Sequence, residues 1–267
     1  MHCRRNVADD GAFDVACYVT NFGQPPIFEA DQVDADHALA GLNPDATVAM
    51  EFSRVENAPG DPAEFPDNNR AVKFYVYVTN NPNGPTVKKA DLDGFGERPV
   101  PQLCVVCHGG QVASEPADPA DPTGPTKGAF TSRNDIMSMT ANFLPFDLHF
   151  YNFPAGKSKG AQQTNFKNLN RDIVREVALG NGAQGTAIVE LIDTINPAAV
   201  ATQQEDAVVT NWDGALPASD NHKFYRDVFA RSCRTCHVAL PFSAPSFTNK
   251  VDFQNQIGQV QFRGCNQ

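Results

Sequence analysis

Two pentapeptides, Cys104-Val105-Val106-Cys107-His108 and Cys233-Arg234-Thr235-Cys236-His237, constrain this chain more than any other feature in it. Each has the spacing C-x-x-C-H, the pattern of covalent haem c attachment, in which two thiols bond the porphyrin vinyl groups and the adjoining imidazole ligates the iron. Two intervening residues let the thiols reach opposite edges of one macrocycle, and a histidine directly after the second thiol is carried beneath the metal. A four-thiolate zinc site or a redox dithiol also uses C-x-x-C. Neither requires a histidine directly after the second cysteine, yet both copies have one, and no second close pair sits near either. The pattern predicts two covalently attached haems, with Cys104, Cys107, Cys233 and Cys236 as tethers and His108 and His237 as iron ligands.

With 41% hydrophobic residues in 267, the chain can bury a real core. Its 19 Gly and 20 Pro predict long connecting loops, tolerable where thioether bonds to a large apolar cofactor help to hold them. Phenylalanine dominates the aromatics, 19 against 5 Tyr and 1 Trp, which suits the wall of a porphyrin pocket and equally an ordinary core. The formal net charge of −10 argues against nucleic acid or an anionic membrane surface as partner and favours a redox protein with a basic docking surface. No apolar run reaches the length of a membrane span. Residues 1 to 20 contain Cys3, Arg4, Arg5, Asp9 and Asp10 and no continuous apolar segment, so they do not read as a secretory signal. Bacterial haem c is attached outside the cytoplasm, so the expectation is a periplasmic or extracellular protein whose signal is absent from this numbering. Of the remaining cysteines, Cys3 and Cys17 are spaced to close a small loop in an oxidising compartment, which leaves Cys265 unpaired or joined elsewhere. The sequence leaves that pairing open.

Residues 1 to about 45 read as loop-rich, with a Gln24-Pro25-Pro26 turn and a short helix from Asp36 to Ala40 that ends at Gly41. Thr47 to Val55 carries a weak strand pattern. Ala71 to Thr79 carries a clearer one, because Val72, Phe74, Val76 and Val78 alternate with Lys73, Tyr75 and Tyr77. Residues 1–90 therefore read as an N-terminal β-containing module. The segment 91–215 holds the first motif: Pro99-Val100-Pro101 leaves room for only a short helical turn before Cys104, and Gly109-Gly110 are expected where backbone passes close to the ring. Residues 114–128 read as an exposed acidic, proline-rich loop. Phe166, Leu169, Ile173, Val174 and Val177 repeat at helical spacing up to Gly180, and Ile188, Leu191, Ile192 and Ile195 up to Pro197, before a linker from Thr202 to Pro217. The segment 216–267 opens with a helix from near Ser219 or Asp220 that carries Tyr225, Val228, Phe229 and Ser232 on one face and runs into Cys233.

That helix and its motif, His222-Lys223-Phe224-Tyr225-Arg226-Asp227-Val228-Phe229-Ala230 followed by Cys233 to His237, resemble the N-terminal helix and attachment motif of the class I cytochrome c family. Together with Cys104 to His108, the chain resembles a di-haem c-type cytochrome. The resemblance implies mainly α, cytochrome-c-like haem segments with long loops, which with the N-terminal β-containing module make the chain α+β overall. It also implies single-electron transfer between redox partners outside the cytoplasm.

Family members place a distal methionine well downstream of the motif, whereas beyond His237 this chain has neither Met nor His. Three explanations stand open: the ligand comes from upstream, the natural chain continues past Gln267, or the second iron is open on one side. His149, set among Phe143, Phe146 and Phe150, is a distal candidate for the first haem, as are Met137 and Met139. His222, His37 and His2 are the upstream candidates for the second. On a continuous helix His222 lies about 16 Å from Cys233, so it more easily reaches the first haem than its own. An open iron would suit a di-haem peroxidase, in which one haem relays electrons and the other reduces peroxide. A peroxidase-like oxidoreductase is thus the alternative to a carrier with no enzymatic activity, and a haem-bearing docking subunit of a larger electron-transfer assembly is a third reading.

Overall fold

A computed structural model describes residues 2–7, 13–22, 32–55, 70–78, 86–87, 89–92, 96–109, 141–148, 151, 153–210, 212, 220–239 and 253. The chain is α+β and divides into two compact units, Met1–Val106 with Gln111–Ala141, and Cys107–Gly110 with Asn142–Gln267. This division differs from the segments 1–90, 91–215 and 216–267. It falls within the first C-x-x-C-H motif, and residues 107–110 share a unit with the second.

The first unit is built on an antiparallel sheet of four sequential strands, β1 (His2–Val7), β2 (Phe13–Phe22), β3 (Pro44–Arg54) and β4 (Arg70–Val78), with helix α1 (Gln32–Ala40) between β2 and β3. Strands β3 and β4 answer the two strand patterns of the sequence, but β1 and β2 occupy a stretch that reads as loop. In β2 the alternation is present, Val15 and Cys17 buried against Ala16 and Tyr18 exposed, yet Asp14 and Asn21 dilute it. Strand β1 is an almost wholly exposed edge without an apolar face, so only its pairing with β2 reveals it. Cys3 stands directly opposite Cys17 in that pairing, and the two form a disulfide. Helix α1 ends as expected at Gly41, whose φ of 68° returns the Leu42 N–H to the His37 carbonyl at 2.9 Å.

One face of this sheet is apolar. Val15, Phe52 and Val72 lie side by side across β2, β3 and β4, and all are buried, as is Val76. Against it pack Ala90, from the short β5 (Lys89–Ala90), and Val100 and Cys104, from helix α2 (Val100–His108), with Val48, Phe74, Val87 and Leu92 around them. Strand β5 pairs with β6 (Arg98–Pro99), which feeds directly into α2. Pro101 suits the first turn of that helix, where its missing N–H costs nothing.

In the second unit, α3 (Lys159–Leu169) is capped by the Ser158 hydroxyl and continues through a π-helical turn, Asn170–Val174, into α4 (Arg175–Gly180). A 3-10 turn, Gly182–Gly185, leads to α5 (Thr186–Ile195). The stripe expected on α5 is fully buried: Ile188, Leu191, Ile192 and Ile195. On the preceding helices Ile173, Val174 and Val177 are buried, but Phe166 and Leu169 are only half-buried, while Lys167 and Asn170 take interior positions. The wider π turn changes the angular step between successive residues, so a constant helical period misplaces the stripe there. Lys167 is tolerated inside because its Nζ donates to the carbonyls of Pro197, Ala198 and Val200 just beyond α5.

A second π turn, Tyr225–Phe229, joins α6 (Asp220–Phe224) to α7 (Ala230–Ser232), ahead of α8 (Arg234–His237). It keeps Tyr225 and Phe229 inside and turns Val228 out to solvent, correcting the face expected from an unbroken 3.6 period. The expected linker from Thr202 is also corrected: Gln203, Val209 and Trp212 are buried. Trp212 stacks on Phe229 with ring centroids 4.4 Å apart and meets Tyr225 and Phe253 as well. Among the described residues no helix is long and apolar enough to cross a membrane.

Candidate functional site

The nine residues of α2 carry Cys104 and Cys107 one turn apart and end on His108. Cys104 is buried in the apolar cluster of the first unit, and that burial pushes its thiol up to about 12. A thiol so placed stays neutral, which suits an uncharged thioether better than the thiolate a zinc site needs. Neither Cys104, Cys107 nor Cys233 is in a disulfide.

Within the second unit, His108 is fixed from both sides by one residue. Its Nδ1 lies 2.9 Å from the Asn142 carbonyl oxygen, and the Asn142 N–H donates to the His108 carbonyl at 2.8 Å. A carbonyl can only accept, so Nδ1 carries the proton and the lone pair belongs to Nε2. Burial lowers the pKa of His108, against the opposing effect of the Asn142 bond, and so favours the neutral ring that a metal ligand must be.

Asn142 begins a buried irregular strap, residues 142–148, whose backbone is satisfied by side-chain amides in place of secondary structure. Asn170 receives the Phe146 N–H on Oδ1 at 2.7 Å and returns Nδ2 to the Phe146 carbonyl at 2.9 Å. Gln203 accepts the Leu148 N–H at 2.9 Å and donates to the Phe146 carbonyl at 3.0 Å. The Asn142 side chain accepts from Asn181 Nδ2 at 2.7 Å. Truncation of Asn170 to alanine strips a buried backbone N–H of its acceptor, and we expect a loss of about 2–3 kcal/mol in urea unfolding. A change within about 0.5 kcal/mol, the range of ordinary surface substitutions, would refute this role for Asn170.

The far end of the strap meets the second motif. The helical run breaks at Cys233, then closes one turn in which the His237 N–H bonds to the Cys233 carbonyl at 3.0 Å. Arg234, inside that turn, is 1% exposed and donates from Nε to Asp147 Oδ2 at 2.6 Å, with the Asp147 side chain fully buried. Its Nη2 reaches the Glu205 carbonyl at 3.3 Å, and its guanidinium carbon lies 5.9 Å from the centre of the Tyr225 ring. Burial works against the charge on Arg234; the hydrogen bonds and attraction to Asp147 and Tyr225 together outweigh it and hold the pKa above its ordinary value. Arg234 Nη1 and Thr235 Oγ1, both buried between the two motif cysteines, have no hydrogen-bond partner among the described residues.

Within the second unit, the residues that follow the two motifs also meet through backbone. A Cβ built on Gly109, the residue after His108, would stand 1.8 Å from the carbonyl oxygen of Ala239, two residues past His237. Gly109 is thus needed for the approach of these two chain segments.

No family model, curated protein or solved structure matches this chain.

The distal candidates are less well served. Met137, Met139 and His149 lie outside the described residues, as do Cys265 and the side chain of Cys236. His222 lies half-buried on α6, in the helical run that leads into the second motif. In the first unit His37 lies in the last turn of α1 with its carbonyl accepting from the Leu42 N–H, and His2 stacks on Tyr18 at 5.2 Å. No cluster of three or more His, Cys, Asp or Glu side chains suited to a bare metal ion occurs among the described residues. The features that do fit a covalently held haem are the His108 tautomer and the polar atoms left unpaired between Cys233 and Cys236. Sequence reading misses Asn142, Asn170, Gln203 and the Arg234–Asp147 pair, because each acts through a partner distant in the chain.

Proposed function

We propose that this chain is a di-haem c-type cytochrome that carries single electrons between redox partners outside the cytoplasm. The observation that carries the reading is the reciprocal pair between His108 and Asn142, which holds a neutral imidazole in one tautomer directly after a C-x-x-C pair. A metal-binding histidine needs its other ring nitrogen fixed in this way. Bound haem c supplies the Fe(III)/Fe(II) couple. The chain's own residues do the rest: Cys104 and Cys107, and Cys233 and Cys236, tether the rings, His108 and His237 ligate the irons, and Asn142 orients the first imidazole. The close approach of Gly109 to Ala239, just past each motif, supports this reading, because electron exchange between two haems needs them near each other. A net charge of −10 suits a basic redox partner, and the Cys3–Cys17 disulfide suits an oxidising compartment.

The test is haem stoichiometry of the full-length protein matured with the haem c attachment machinery, read by pyridine haemochrome and peptide mass. The expected result is two haems per chain, with His108→Ala and His237→Ala each removing one low-spin signal. Absence of haem from both C-x-x-C peptides overturns the proposal. Carbon monoxide added to the dithionite-reduced protein should leave the spectrum unchanged in a carrier. A shift in about half of the haem would instead identify an accessible iron and favour the peroxidase-like reading.

A further inference from the structure

Resting on the reading that Cys233 and Cys236 carry a haem, we propose that the buried Arg234–Asp147 pair sets the reduction potential of the iron ligated by His237. Arg234 stands between the two tethering cysteines, so its charge is held inside the attachment turn. Its side chain is 1% exposed, and Asp147 is 0% exposed. Charges removed from water act on their surroundings with little screening. Asp147 bonds Nε at 2.6 Å, the Glu205 carbonyl accepts from Nη2, and Nη1 is bonded to nothing among the described residues. Tyr225 hydrogen-bonds the guanidinium as well, and the counter-charge to it comes from Asp147.

The consequence for the iron follows from charge. Reduction adds one electron and takes Fe(III) to Fe(II), removing one positive charge from the haem with no bond made or broken. A nearby cation favours the reduced state, and a nearby anion the oxidised state. With both members of the pair present the effects oppose each other, and removal of either exposes the iron to the other. An apolar pair of similar volume would hold this turn with less desolvation cost, so packing alone does not call for two buried charges. Arg234 and Asp147 act on the iron through space and are not catalytic residues.

The experiment is a spectroelectrochemical titration of the full-length, haem-loaded protein, in which the wave lost in His237→Ala marks the second haem. Asp147→Asn is expected to move that wave to more positive potential and Arg234→Gln to more negative potential, while Arg234→Lys, which keeps the charge, stays near the parent. A purely structural role would move Asp147→Asn and Arg234→Gln in the same direction, and that result, or no movement, overturns the inference. If one neutral variant fails to fold, the other decides: Asp147→Asn alone must move the wave positive, or Arg234→Gln alone must move it negative, and the opposite sign or no movement overturns the inference. Haem content separates the two proposals. A parent protein lacking haem on the Cys233–Cys236 peptide would fail the proposed function itself, whereas a loaded protein with an immovable wave fails only the control of potential by Arg234 and Asp147.

Discussion

Gly109→Ala is expected to destabilise the second unit by about 4 kcal/mol, combining left-handed backbone strain with a steric clash against main chain. The φ of 73° at Gly109 is costly for any residue with a Cβ, and that atom would also sit 1.8 Å from the Ala239 carbonyl oxygen. A carbonyl in the main chain cannot rotate aside as a flexible side chain does. Gly41 separates the two contributions, since its φ is 68° but nothing among the described residues lies within 4 Å of its added Cβ. Gly41→Ala should therefore cost only about 1 kcal/mol. Urea unfolding followed by circular dichroism and by the single tryptophan, Trp212, buried in the second unit, measures both. Equal midpoints for the two variants would mean that Gly109 does not lie against Ala239.

Asp147→Ala should cost about 3–5 kcal/mol, because it leaves the guanidinium of Arg234 buried without its counter-charge. This figure is the penalty of orphaning one partner and not the net worth of the pair. The double variant Asp147→Leu, Arg234→Met tests that distinction. By removing both charges it should recover most of the stability lost in Asp147→Ala. If the double variant is as unstable as the single one, the loss comes from packing, and the electrostatic account of this turn is wrong.

The features legible in the sequence have a short period or a fixed spacing. Both C-x-x-C-H motifs are local, the alternation of Val72, Phe74 and Val76 is local, and so is the Ile188–Ile195 stripe; β4 and α5 follow them. The Cys3–Cys17 pairing is only one possibility in the sequence, and the β1–β2 register selects it. The features that were not legible depend on partners far apart in the chain. Arg234 and Asp147 are separated by 87 residues, Leu148 and Gln203 by 55, and nothing near any of the four announces the other. The strap at 142–148 shows in the sequence only as an apolar, aromatic stretch, because its hydrogen bonds go to side-chain amides and no periodicity encodes such bonds. The π turns at 170–174 and 225–229 explain the misplaced helical faces, since one extra residue shifts the positions that a constant helical period would assign.

The disulfide between β1 and β2 has a bearing on how such a chain is made. On the proposed function, one compartment must oxidise Cys3 and Cys17 to a disulfide while keeping Cys104, Cys107, Cys233 and Cys236 as thiols until haem arrives. Cys17 is separated from Cys3 by 14 residues and faces it across adjacent strands, so the hairpin can oxidise this pair early, before either thiol mispairs with an attachment cysteine. Cys104, once folded against Val76, Ala90 and Val100, is sheltered from oxidants and from the attachment machinery alike. On that same proposal haem would have to reach the first motif before the sheet closes over Cys104, so that maturation would run in order: hairpin oxidation, thioether formation, then closure of the core.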